Sequence, residues 1–335
     1  MSTRGNAAMK FIIALGVLAF LFLLLSSVLM KKALRPNERE RVIIREKYSP
    51  FDRARAWRDL EHIVGLGPRT AGSEEAGRMR DYLKRELSLA GLNTFEHTFD
   101  AETPKGKRTM TNLWAESKGS KPGIIILSNH YDTKSFEEFR FVGANDGGST
   151  TAWLLEMARV IGPRRDGRTI WLVWFDGEES FGKWSETDGL YGSRAFARHL
   201  KERGDLAAVN ALINVDMIGD TYLNIRQDTN GAPWLQDIVW DTAQRLGYRA
   251  HFSRFPRDIQ DDDAPFRQAG ISTLLLIDFS YGGSIAEHVK NWHTAKDTLD
   301  KVRPESLQAV ADVIYHALPA IEGYLDTPGH GMGNG

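Results

Sequence analysis

The chain has 335 residues, 42% of them hydrophobic and 26% charged, which is the balance of a globular protein with one large domain or two small ones. A net charge of −1 and a pI near 6.8 exclude the basic footprint of a nucleic-acid binder. With no cysteine, thiol catalysis, cysteine-ligated zinc and disulfides are also excluded, so any metal must be held by His, Asp and Glu.

Residues 1–10 read as a short tail. Phe11 to Met30 then run for twenty residues without a charge, bracketed by Lys10 and by Lys31 and Lys32, and that length spans a bilayer as a helix. A cleavable signal has a shorter apolar core and a small-residue cleavage site, so residues 11–30 read as an uncleaved single-pass signal anchor. The basic residues that follow it, Lys31 to Arg41, favour a cytoplasmic location by the positive-inside rule. Large domains translocate despite such charges, and the expected placement of the domain is extracytoplasmic. Residues 31–50, charge-rich and containing Pro36, read as a linker.

One domain is expected over residues 51–326, with a disordered tail at 327–335. Ala54, Trp57, Leu60, Ile63 and Val64 recur at helical spacing over 51–64. Gly65 to Gly72 breaks that helix, and Ser73 opens another that continues from Ala76 to Leu89. Residues 92–100 and 109–116 read as strands joined by the turn Thr103 to Gly106. After that the chain alternates. Strand Gly123–Ser128 leads into His130-Tyr131-Asp132, and helix Gly148–Ile161 follows Ala144-Asn145-Asp146-Gly147. A strand from Thr169 ends at Phe175 and is followed by helix Ser193–Glu202. Strand Ala211–Val215 ends at Asp216, then come helix Pro233–Leu246, strand Thr273–Ile277 and a long closing helix, Pro304–Leu325. Alternating strands and helices predict an α/β fold, a mostly parallel mixed sheet with helices on both faces.

The Thr169 stretch organises the rest. Ile170 to Phe175 is apolar without alternation, as in a strand covered on both faces, and it runs straight into Asp176-Gly177-Glu178-Glu179. The crevice beyond the carboxyl ends of such strands is where α/β proteins bind ligands. His130 and Asp132, Glu178 and Glu179, and Asp216 all fall at strand ends, while Asp146 and His293 sit in loops. Singly, each has another reading: Asp146 as a helix N-cap, the two histidines as hydrogen-bonded structural residues, Asp216 as a turn cap. Together they form a His and carboxylate set suited to zinc.

The residues His130-Tyr131-Asp132, Asn145-Asp146-Gly147-Gly148, Gly177-Glu178-Glu179, Asn214 to Gly219 and His293-Thr294 resemble the zinc aminopeptidase family with co-catalytic metals. Within that superfamily the chain is more similar to the glutaminyl cyclases (glutaminyl-peptide cyclotransferases), on Phe175 to Phe181, Trp184-Ser185, Asp188 to Arg194, Asp261 to Phe266 and Trp292-His293-Thr294 with Asp297, Leu299 and Asp300. The likeness runs from about residue 51 to 325. It implies one zinc on Asp146, Glu179 and His293, Glu178 as acid/base, Asp216 and Asp261 bonding around the substrate amide, and Trp184 and Trp292 walling the pocket. The implied substrates are peptides with an N-terminal glutamine. The aminopeptidase alternative adds a second zinc on His130 and Asp216, with Asp146 bridging.

The chain departs from the animal cyclases at two points. Asn145 to Gly148 is closer to the peptidase version than to Thr-Asp-Ser, and Asp263-Ala264 stands where those enzymes have His-Ile. Trp153, Trp171 and Trp174 lie in apolar runs and are expected in the core; Trp184 reads equally as pocket wall or as packing under the Ser185–Gly189 loop. A non-catalytic domain retaining the fold would have lost a ligand or Glu178, and none is lost.

Overall fold

Ile170 to Phe175 lies at the centre of the sheet, and its lack of alternation has a structural cause. Ile170, Leu172 and Trp174 pack into one hydrophobic cluster, while Trp171, Val173 and Phe175 pack into a second on the opposite face. The computed structural model describes residues 48–283 and 290–329. The expected anchor at 11–30, its flanks, and the last residues of the tail lie outside the described residues. Among the described residues, no helix is long and apolar enough to cross a membrane.

In chain order the elements are α1 (Arg53–Gly65), α2 (Glu74–Leu89), β1 (Asn93–Thr103), β2 (Gly106–His130), a π-type turn (Ala144–Ser149), α3 (Thr150–Ile161), β3 (Arg164–Phe175), α4 (Tyr191–Arg203), β4 (Val209–Asp216), β5 (Ile225–Asp228), α5 (Pro233–Arg245), β6 (Phe252–Arg257), α6 (Ala264–Gln268), β7 (Ser272–Ile277) and α7 (Pro304–Asp326). Local chemistry sets the first helices. Asp52 caps α1 by accepting from the amides of Ala54 and Arg55, and Ser73 caps α2 with Glu74 and Glu75 in its first turn.

The main sheet has five strands and is mixed. β1 pairs antiparallel with β2, whereas β2–β4 and β4–β7 are parallel. The second half of β2 runs parallel to β3, from Ile124 opposite Thr169 to His130 opposite Phe175. Its first half also meets β3 in the reverse sense, with Leu113 opposite Trp174 and Ser117 opposite Ile170. The sequence suggested two separate strands here, 109–116 and Gly123–Ser128. The chain instead stays extended through a register shift, with Gly123 at a φ of +98°. A Cβ at Gly119 would run into the Gly167–Thr169 backbone, so only glycine allows this approach.

Helices cover both faces. Residues of α1, α2, α3, α5 and α7 build the larger cluster, which holds the fully buried Trp153 and Trp174. Phe196, Ala197 and Leu200 of α4 and Phe266 of α6 cover the other face. Each fully buried large apolar side chain contributes about 1.5–3 kcal/mol relative to exposure. All three core tryptophans lie where the apolar runs put them. The short β5, β6 and α6 have no counterpart in the sequence reading; at 4 to 6 residues they carry too few positions for a period to show.

The breaker Gly65 to Gly72 has a further role in the fold. Arg69, fully buried, donates to the main-chain oxygens of Gly67, Tyr131, Val142 and Gly143. One guanidinium thereby ties the end of β2 to the loop that leads into the π-type turn.

Candidate metal centre at the carboxyl edge of the sheet

Three parallel strands end in one place: β2 at His130, β3 just before Asp176 and β4 at Asp216. Asp146 comes from the π-type turn, where its ψ of 105° and the φ of +74° at Gly147 break the helical path. That kink settles the capping question: Ser149 is the N-cap of α3, and Asp146 caps nothing. Its carboxylate faces two histidines instead. Asp146 Oδ1 lies 3.2 Å from His130 Nε2, and Oδ2 lies 3.3 Å from His293 Nε2.

Two groups of potential ligands result, Asp146–Glu179–His293 and His130–Asp146–Asp216, each with its ligand atoms within 4.8 Å of one another. In the first, His293 Nε2 is 3.0 Å from Glu179 Oε1; in the second, His130 Nε2 is 3.2 Å from Asp216 Oδ1. Bonds of about 2.0–2.1 Å around a tetrahedral cation place neighbouring ligand atoms about 3.3 Å apart, so these spacings fit zinc. Asp146 Oδ2 is buried, and the group that faces it is His293 Nε2. His293 takes a left-handed φ of 53°, an uncommon backbone for a residue with a Cβ, as strained positions at ligand sites often do.

The electrostatics follow from burying so many acids together. Burial opposes ionisation of Asp146 most strongly, yet bonds from His130 and His293 outweigh it and hold the carboxyl below its ordinary range. Burial likewise opposes the charge on His293, but Glu179 and Asp146 push it up to about 9. Burial pushes Glu178 well above the usual carboxylate range, and Glu179, Asp261 and Asp262 add like charge.

A cavity of about 440 Å³ opens onto this edge. Its floor is acidic, with Asp146, Glu178, Glu179, Asp216 and Asp261, and His293 reaches it from the side. Trp184, Ile259, Ile277, Phe279 and Trp292 make the walls. Trp292 stacks on His293 at 3.8 Å between ring centroids, and Trp184, 43% exposed, forms part of the rim against Gly189. His130 lies behind this floor, buried among Asp132, Asp146 and Asp216.

Three residues escaped assignment from the sequence, and a fourth, Asp132, was read as part of the His and carboxylate set rather than as a support for it. Asp132 accepts from the amides of Glu178 (3.1 Å) and Glu179 (3.3 Å) and so orients both carboxylates; it belongs to the His-x-Asp run noted above. Lys134 reaches Ser180 and lies 3.7 Å from Glu179 Oε2. Asp262, fully buried, opposes ionisation of Glu178 by its like charge. Asp297 holds the backbone of Asp146. Lys134 had no sequence signal; Asp262 and Asp297 stood in the cyclase-like pattern but without a role.

A mixed sheet under two helical layers, with two cation-sized His and carboxylate clusters at its carboxyl edge, defines the class as the zinc exopeptidase-like fold. The chain is a member of one family within it: the model of peptidase family M28 matches residues 112–318, and the chain belongs to that family. It is 35% identical to a glutaminyl cyclase from an Acidobacteriales bacterium, with a TM-score of 0.77, covering 82% of this chain and 96% of that one. A glutaminyl-peptide cyclotransferase from Dictyostelium discoideum is 27% identical over 317 residues, 79% of this chain and 84% of the relative. An aminopeptidase from Bacillus subtilis is 29% identical over 268 residues, but only 55% of its own length is covered. The resemblance to the cyclases within the aminopeptidase superfamily is therefore borne out.

Proposed function

We propose that the chain is a zinc-dependent glutaminyl-peptide cyclotransferase, converting N-terminal glutamine of peptides to pyroglutamate with release of ammonia. The observation that carries this reading is the single cavity that collects Glu178, the Asp146–Glu179–His293 group and two tryptophan walls. The cyclase likeness over 96% of a solved relative supports it.

In this reaction the substrate α-amine attacks its own side-chain carboxamide carbon; that C–N bond forms, the bond to the departing nitrogen breaks, and ammonia leaves. The step is intramolecular, so the protein must fold the glutamine side chain back and manage protons. Trp184 and Trp292 with Ile259, Ile277 and Phe279 enclose the aliphatic part and exclude water. Glu178 takes a proton from the attacking amine and returns one to the departing nitrogen, a role matched by its raised carboxyl. Asp261 already accepts from Asn214 Nδ2 and from the Asp262 amide, both on Oδ1; its other oxygen, with Asp216, is left for the substrate amide. Asp146, Glu179 and His293 would hold one zinc, which supplies Lewis-acid charge at the carboxamide oxygen, worth several kcal/mol in typical metal sites.

One observation favours a second reading. His130, Asp146 and Asp216 are intact as a ligand group, as a two-metal aminopeptidase needs. A paired assay separates the two: ammonia from a glutaminyl peptide against amine from a leucyl anilide, with zinc counted on the same sample. Ammonia release with near one zinc per chain is expected. Amine release with near two zincs sinks the cyclase.

The membrane placement rests on the sequence alone. Twenty uncharged residues at 11–30 would anchor the chain by a single pass, with the catalytic domain extracytoplasmic. Full-length protein expressed in cells should stay with membranes through alkaline carbonate extraction and be digested by external protease. Recovery in the soluble fraction refutes the anchor.

A further inference from the structure

Asp297 lies four residues beyond His293, fully enclosed, and its carboxylate accepts three hydrogen bonds. Oδ1 takes the amide of Asn145 at 2.7 Å and the hydroxyl of Tyr281 at 2.8 Å; Oδ2 takes the amide of Asp146 at 3.1 Å. Its main-chain oxygen accepts from Ala144 as well, at 3.4 Å. Three successive amides of the π-type turn therefore end on one residue of the His293 loop.

This matters because the turn has no helical ladder of its own at that point. The backbone leaves the helix at Asp146 and reverses at Gly147, so the amides of Asn145 and Asp146 need an acceptor from elsewhere. A carboxylate suits the place where an amide does not: three donors converge, and an asparagine would turn an NH2 toward at least one of them. Within the His293 loop, the amide of Asp297 in turn bonds to the Thr294 carbonyl at 3.2 Å, and Thr294 bonds back to Asn291. The two segments that bring Asp146 Oδ2 and His293 Nε2 to 3.3 Å are thus locked to each other through Asp297.

We propose that Asp297, seconded by Tyr281, is the positioning residue that sets the spacing of the Asp146 and His293 ligand atoms and so tunes the affinity and geometry of the metal site. The inference rests on the zinc reading above, but its readout is metal binding rather than turnover. Partners that orient metal ligands change affinity by about 10- to 100-fold when removed.

The test uses the full chain carrying Asp297→Asn or Tyr281→Phe. Zinc affinity is measured by chelator competition, and the visible spectrum of the cobalt-loaded chain reports ligand geometry. Asp297→Asn is expected to bind zinc about 10- to 100-fold more weakly, with a shifted cobalt band. Tyr281→Phe, which removes one donor, should weaken zinc binding by about 5-fold. Zinc affinity within twofold of the unaltered chain, with an unchanged cobalt spectrum, overturns the proposal. Should Asp297→Asn fail to fold, Tyr281→Phe decides alone, several-fold weaker binding supporting the role and unchanged binding refuting it. An unaltered chain that binds zinc yet releases no ammonia sinks the cyclase reading and leaves this inference standing.

Discussion

Glu178→Gln is expected to lower ammonia release by about 10²- to 10⁴-fold while zinc content stays that of the unaltered chain. The substitution keeps shape and removes only the ability to carry a proton. Glu178 is held from behind, because Asp132 fixes its amide, and it projects into the cavity beside Asp261. Its neighbour Glu179 lines the same cavity but bonds to His293, its Oε1 3.0 Å from Nε2. In the cyclase reading, one carboxylate moves protons while the next holds a cation. The effect must appear in kcat with little change in zinc affinity. A Glu178→Gln chain with near-normal turnover removes this residue from the mechanism, whatever the rest of the site does.

The two glutamates also show which parts of the site the sequence carries. A strand covered on both faces announces itself as an unbroken apolar run, and Ile170 to Phe175 is such a run. In a parallel sheet the residue just beyond the run must lie at the ligand-binding edge. His130, Glu178, Glu179 and Asp216 were legible for that reason, and so was the alternation of helices and strands around them. β2 was not, because its Gly and Pro residues carry the local signature of a turn. What keeps them extended is partner strands far away in sequence, and no window of neighbouring residues contains that information.

The supporting residues were hidden for a different reason. Asp132, Arg69 and Asp297 act on main-chain groups: the amides of Glu178 and Glu179, the carbonyls around Tyr131 and Gly143, the amides of Asn145 and Asp146. Main-chain groups are the same at every position, so nothing in the partner's identity points back to the side chain that holds it. Asp146 shows the converse. Its place before a helix allowed a capping role, and only the ψ of 105° that turns its carboxylate toward two histidines removes that reading.

Asp146 is also where the number of metals is decided, because it is the one residue common to both ligand groups. Asp146→Ala is expected to abolish zinc binding in either arrangement. Loss of several kcal/mol of Lewis-acid stabilisation corresponds to about a thousandfold or more in ammonia release. His130→Gln touches only the second group. If one zinc sits on Asp146, Glu179 and His293, this chain keeps near one zinc and most of its ammonia release. In a two-metal site it loses one of two zincs, and peptide-bond hydrolysis falls with it. The comparison is informative because His130 lies behind the cavity floor, so its replacement removes no surface that touches the substrate. Zinc retained by Asp146→Ala would mean that the cation does not bind where the two histidines converge, and the assignment of the whole centre would fall.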